Sequence, residues 1–279
     1  MEIHEILDSL EKGKISVNNA KKLLSLYSIE EIEGIAKIDI NRRKRRGIPE
    51  VIFAETKITS GIPRRLIPEV IFAETKKLDE IKKIIKKTLE KTNSVVVSRI
   101  NSRDYSKIIS FAKKLKIKVK TGKNSSSLLL FKNPIKFGGG KIGILTAGTS
   151  DIGIAEESRL MCEAMNCKCI TSYDVGVAGI QRIFPVLKEM IEKEVDCIIV
   201  AAGMEGALAT LVSSMVDIPV IGVPTSAGYG YGGKGIAALA SMLQSCSLGL
   251  SVVNIDNGIA AGAIAANIAN RAVRKNKTK

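Results

Sequence analysis

Four polar, glycine-rich segments carry most of the residues able to do chemistry: Thr146–Asp151 (TAGTSD), Ala202–Gly206 (AGMEG), Pro224–Lys234 (PTSAGYGYGGK) and Asn254–Gly258 (NIDNG). Each lets backbone amides and small hydroxyls approach a ligand at a helix N-terminus, which suits phosphate. Any one of them reads equally well as a tight turn, but four along one edge point to a site. Glu205 stands between glycines at a strand end, and Asp151 is either a site carboxylate or the cap of the helix that follows it. Arg182 offers a fork and Lys234 a point charge for phosphate or carboxylate. His4 is the only histidine and belongs to an N-terminal helix, so no Ser–His or Cys–His nucleophile can form. Any base is therefore a carboxylate, a lysine or the substrate itself. No G-x-G-x-x-G follows a strand and no GxxxxGK precedes Ser or Thr, which removes dehydrogenase and P-loop chemistry.

The elements that position these segments alternate regularly from Lys141 onward. Strands are expected at 141–146, 169–172, 196–201, 219–223 and 251–255, and helices at 155–165, 180–193, 207–215 and 236–243. Continuous apolar strands alternating with helices mean a parallel sheet covered on both faces, with ligands beyond the carboxyl ends of the strands. The first half is less regular. Two short helices are expected in the first forty residues, over 20–26 and again from Ser28, followed by five consecutive cations, Arg42–Arg46. The decapeptide IPEVIFAETK occurs at 48–57 and again, unchanged, at 67–76. It is too short for a solenoid repeat. The second copy runs into the amphipathic helix 78–89 and takes the strand–helix role, leaving 58–66 to loop out. Strands at 95–97, 117–120 and 128–131 and a helix at 105–115 follow, and Gly138-Gly139-Gly140 marks the boundary between domains 1–137 and 138–279.

Composition narrows the class. The 279 residues are 45% hydrophobic and 25% charged, which excludes intrinsic disorder, and the absence of Trp with only 4% aromatics argues against stacking on single strands. The net charge of +15 lies wholly in residues 1–140, because residues 141–279 hold 12 basic and 12 acidic side chains. Such an asymmetry either meets an anionic partner or is a solvated lysine surface. The five cysteines, 162, 167, 169, 197 and 246, form neither a disulfide framework nor a zinc pattern. No signal-peptide core or membrane span is visible, so a soluble cytoplasmic protein in a reducing compartment is expected.

The segments Ile144–Asp151 (ILTAGTSD), Tyr173–Arg182 (YDVGVAGIQR), Ala202–Leu208 (AGMEGAL), Val223–Gly230 (VPTSAGYG) and MLQSC followed by VVNIDNG within Met242–Gly258 resemble the LarB family, whose C-terminal domain is like AIR carboxylase (PurE). The basic run before GIPEVIF (Gly47–Phe53) also resembles that family. The resemblance implies a three-layer, parallel-sheet, flavodoxin-like core behind a smaller basic α/β domain. It implies carboxylation of the pyridinium ring of nicotinic acid adenine dinucleotide and cleavage of its phosphoanhydride, giving pyridinium-3,5-biscarboxylic acid mononucleotide and AMP in nickel-pincer cofactor synthesis. Carbon dioxide or bicarbonate is then the co-substrate and magnesium the cofactor. The residue matching the family's transient nucleophile is Cys246, whereas an isolated free cysteine is more often a small buried hydrophobe. Glu205 becomes the candidate for activating water or holding the metal, and Asp151 the third catalytic group. Substrate contacts fall on Gly148, Thr149, Ser150, Asp174, Arg182, Gly203, Met204, Gly206, Thr225, Ser226 and Lys234.

Three positions depart from the pattern: Gln181 stands where the family has His, both repeat copies read AETK where GEGK is usual, and the duplication itself is extra. Two other readings compete. An AIR carboxylase proper would need a histidine near its substrate, and residues 141–279 contain none. A nucleic-acid-binding or regulatory protein would use the basic half, although scattered lysines make a diffuse field and no groove-shaped stripe. The uncharged stretches 235–253 and 259–268 suggest apolar surface to spare and an oligomer, an octamer of cores by the resemblance.

Overall fold

The computed structural model describes residues 3–17, 19–20, 30–32, 36–38, 69–138 and 140–277. The run Arg42–Arg46, the first repeat copy, the segment 58–66 and most of the expected helix 20–26 lie outside the described residues. Helix α1 (Ile3–Glu11) opens the chain, and Ser16 Oγ accepts the Asn19 amide at 3.2 Å ahead of Ala20. Ile6 and Ala20 are fully buried with Leu187 and Met190, so these first residues pack on the C-terminal core. The second early helix expected from Ser28 is strand at the described residues. Glu30–Ile32 (β1) and Ala36–Ile38 (β2) pair antiparallel instead, and the alternation of Ile32, Ala36 and Ile38 with Glu31 and Lys37 has the period of a strand.

A four-stranded sheet follows: β3 (Glu69–Phe72), α2 (Leu78–Lys91), β4 (Ser94–Ser98), α3 (Ser102–Lys114), β5 (Lys118–Thr121) and β6 (Leu128–Phe131), in spatial order β3-β4-β6-β5. The second repeat copy thus supplies the strand before α2. Alternate residues serve different layers. Val95, Val97, Leu128 and Leu130 pack against Ile81, Ile85, Ile108 and Ala112 of α2 and α3. Val96, Leu129 and Phe131 point the other way, into the core built on α4 (Ile152–Ala164).

The second sheet contains β7 (Lys141–Thr146), β8 (Lys168–Ser172), β9 (Cys197–Ala202), β10 (Val220–Pro224) and β11 (Leu250–Val252), all parallel, in order β11-β10-β9-β7-β8. Every residue of β9 and β10 is buried, as strands covered on both faces require. On one face lie α4 and α8 (Gly258–Lys277). On the other lie α5 (Ile183–Glu192), α6 (Ala207–Met215) and α7 (Ile236–Leu243). This is the three-layer flavodoxin-like core, and α4 also serves as the layer between the two sheets.

The apolar stretch 259–268 is the first half of α8. Ala261, Ala265, Ala266 and Ala269 are fully buried in the core they share with α4 and the sheet, so one side of this stretch is covered within the chain, while Ile264 is exposed. The exposed large apolar side chains of this half include Tyr229, Tyr231, Ile236 and Leu243. No described helix is long and apolar enough to cross a membrane.

Candidate functional site

In a sheet of this order the helices change face between β7 and β9, and the crevice beyond those strand ends is where ligands bind. Asp151 anchors that point. Its Oδ2 accepts the Gly148 amide at 2.8 Å and its Oδ1 accepts the Thr225 hydroxyl at 2.6 Å, while only 2% of the residue is exposed. The side chain therefore bonds back into its own turn and across to the loop after β10. It does not cap α4. Burial pushes its carboxyl above the usual range, the Thr225, Gly148 and Gly203 hydrogen bonds pull it back, and Asp256 adds to the rise. A buried carboxyl with a raised pKa in a crevice is a candidate for proton transfer.

Two cavities flank this point. The smaller, about 290 Å³, is lined by Gly148, Ser150, Asp151, Asp174, Arg182, Gly203, Met204 and Glu205. Arg182 Nη1 lies 3.3 Å from Asp174 Oδ2, and its Nε donates to the Gly179 carbonyl, so the fork is held at the rim. Glycine at 203 is required by space. A Cβ there would come within 2.9 Å of Thr225 Oγ1 and 3.2 Å of the Gly228 amide nitrogen. Gly206 adopts φ +68 before α6, where a Cβ would meet the Ala238 carbonyl at 2.9 Å.

The larger cavity, about 710 Å³, lies between the two sheets' loops and takes in Ser150, Thr225 and Ser226. Asp256 of the Asn254–Gly258 segment is also on its wall, and the sequence reading missed other polar walls, Glu74, Arg99, Asn101, Asn124, Ser126 and Glu157 among them. Glu157 Oε1 accepts both the Ser98 and Ser127 hydroxyls, which binds α4 to the four-stranded sheet. Burial raises this carboxyl above its ordinary range, with the two serines opposing the shift. Next to it, burial would raise Glu156 too, but hydrogen bonds from Arg159 and Tyr173 outweigh it and hold the carboxyl low. Three buried glutamates on one helix, 156, 157 and 163, were the available signal, because such residues need partners. Those partners lie as far away as Ser98, 59 residues earlier.

Non-glycine residues with positive φ gather here. Arg99, Asn124 and Asp256 line the larger cavity, and Asp174 and Met204 the smaller. Backbone held in this region costs energy and concentrates at working sites.

Four predicted residues line neither cavity. Thr149 and Lys234 are exposed, Gly206 is buried under α6, and Cys246 is exposed on the loop between α7 and β11. Ser245 and Ser247, on either side of Cys246, bond Thr210 and Ser213 of α6. Ala207 and Leu208 of the same helix line the smaller cavity. Cys246 is thus held beside the middle of α6 and lies outside both cavities of its own chain. Three of the other cysteines are poor nucleophiles. Burial pushes Cys167 and Cys197 to about 12 and raises Cys162 well above the ordinary thiol value. Glu205 is an exposed carboxylate, and no three His, Cys, Asp or Glu side chains among the described residues converge on one point. The protein therefore offers no ligand cage of its own for a metal among those residues.

The fold and the crevice define a PurE-like α/β protein of carboxylase type. Residues 141–279 match the AIR carboxylase family, and residues 29–64 and again 62–121 match the LarB/PurE-like N-terminal domain. An uncharacterized protein of Methanocaldococcus jannaschii is 44% identical over 271 residues, 96% of this chain and 96% of its own length. The chain belongs to the LarB family, with a PurE-like C-terminal domain.

Proposed function

We propose that the protein carboxylates the pyridinium ring of nicotinic acid adenine dinucleotide and cleaves its phosphoanhydride, giving pyridinium-3,5-biscarboxylic acid mononucleotide and AMP. The observation that carries this reading is the crevice at the β7–β9 crossing point, where Asp151, Arg182 and Glu205 meet in a member of a carboxylase-type family. A thiolate adds to the cationic ring and makes it electron-rich. An adjacent ring carbon then forms a bond to carbon dioxide. Asp151 takes the proton from that carbon, and expulsion of the thiolate restores the aromatic cation. No electron is gained or lost overall. Glu205 activates the water that breaks the phosphoanhydride, with AMP as the leaving group.

Cys246 is the thiol in this reading, and because it lines neither cavity of its own chain, it serves the crevice of a second copy. Exposed Tyr229, Tyr231 and Leu243 support such an assembly, with an octamer of cores as the form expected from the family resemblance. The basic N-terminal run serves the dinucleotide's phosphates or domain docking in place of DNA. Mass spectrometry after incubation with the dinucleotide, bicarbonate and magnesium tests the reading: one added carboxyl and free AMP are expected, and an unchanged dinucleotide would overturn it.

A further inference from the structure

The two cavities share Ser150 and Ala227 as a common wall, so together they form one two-chambered cleft. A reaction on a single pyridinium ring needs only the chamber of about 290 Å³ beside Asp151. The chamber of about 710 Å³ is therefore available for the rest of the substrate. Its walls say which part. The cation there, Arg99, already lies 3.3 Å from Glu74 and sits 5.8 Å over the Phe72 ring. With Asp256 also on the wall, the chamber is not a positive pocket and is ill suited to hold phosphate deep inside. Apart from the Glu157 carboxyl, which is held by Ser98 and Ser127, its remaining polar side chains, Asn101, Asn124 and Ser126 among them, are uncharged donors and acceptors that suit ring nitrogens and sugar hydroxyls.

We propose that this interdomain chamber binds the nucleoside of the half that is not carboxylated, the adenosine of the dinucleotide, with the phosphates passing at Ser150. The inference rests on the dinucleotide reading above and deepens it. It also gives the four-stranded sheet a role in the site. Arg99 and Asn101 follow β4, and Asn124 and Ser126 belong to the β5–β6 connection, so the first half of the chain completes the substrate cleft. Arg99 and Asn124 both hold φ +54, which fixes the backbone of these two walls.

Calorimetric titration of the full chain with AMP and, separately, with nicotinic acid mononucleotide tests this. Ser126→Trp and Asn101→Trp fill the chamber from exposed positions on two different loops, and Ser106→Trp, exposed on α3 outside both cavities, is the control. Both chamber variants are expected to weaken AMP binding tenfold or more while leaving mononucleotide binding unchanged, and Ser106→Trp to match the wild type. AMP affinity unaltered by both chamber variants, or no AMP binding by the wild type, would overturn the inference even if the dinucleotide is carboxylated. If AMP binding is lost in both variants but no carboxylation occurs, the chamber stands as a nucleoside site and the reaction falls.

Discussion

Thr225 Oγ1 donates to Asp151 Oδ1 at 2.6 Å across 74 residues of sequence, tying the loop after β10 to the loop after β7. Among the influences that hold the buried Asp151 carboxyl down, this hydrogen bond is the largest. Thr225→Val removes it with little change of shape. The Asp151 pKa should then rise further, and the acidic limb of the pH–rate profile should move to higher pH. A stability loss of about 1–3 kcal/mol is expected for the acceptor left short of a partner. Thr225→Ser should leave the limb in place. A limb that does not move in the valine variant removes Asp151 from the proton transfer.

Glu156 and Glu157, adjacent on α4, are shifted in opposite senses. The lowered Glu156 binds protons less readily folded than unfolded, so its contribution is present at neutral pH and is lost as pH falls through its folded value. The raised Glu157 keeps its proton longer in the folded state, so stability declines as pH rises from the ordinary carboxylate range through its folded value. Thermal melts at pH 7 should show Glu156→Gln less stable than wild type and Glu157→Gln as stable or more so. The same sign for both would refute this account of the layer between the sheets.

Cys246 is the exposed member of the five cysteines, and burial raises three of the others. Brief alkylation of the folded protein should modify Cys246 first, as read by peptide mass. Cys246→Ser should abolish ring carboxylation and change stability by less than about 0.5 kcal/mol, as surface substitutions do. Mixing inactive Cys246→Ser with inactive Asp151→Asn protein and allowing subunit exchange should restore part of the activity, because the thiol and the carboxyl then come from different copies. No recovery after proven exchange would place both in one chain.

Glu205→Gln should spare ring carboxylation and slow phosphoanhydride cleavage, so that a carboxylated dinucleotide accumulates and is seen by mass spectrometry. Equal slowing of both steps would assign Glu205 to binding alone.

Gly203→Ala places a methyl group 2.9 Å from Thr225 Oγ1 and 3.2 Å from the Gly228 amide nitrogen. Overpacking of this kind typically costs about 1–3 kcal/mol. Because the shift is forced on the partner of Asp151, activity should fall far more than the melting temperature suggests.

Much of the C-terminal core is legible in the sequence because its signals are local. Lys141–Thr146 reads as an apolar strand and forms as β7, and Ala207–Met215 and Ile236–Leu243 form as helices with the expected ends. The glycine-rich segments after β7, β9 and β10 meet at one edge because parallel strands put all their carboxyl ends on the same side. The helix expected from Ser28 is strand at the described residues: acids suit a helix start, but the period-two alternation that follows them prevails and gives strands. The apolar run 259–268 reads as surface to spare because composition cannot tell which of its sides is covered, and α4 covers the side that carries Ala261 and Ala265.

By itself the sequence determined the element types, the glycine positions that only a close backbone approach tolerates, and the absence of histidine chemistry. Which carboxylates face one another was decided only in three dimensions. Glu157 finds Ser98 and Ser127, Asp151 finds Thr225, and the loops after β4 and β5 become walls of a cavity built on another sheet. The same holds for the side of α6 on which Cys246 falls. Spacing along the chain specifies periodicity, because that depends on neighbours a few residues apart. Burial and hydrogen-bond partnership depend on surfaces that meet across tens of residues, and those exist only once the layers have packed.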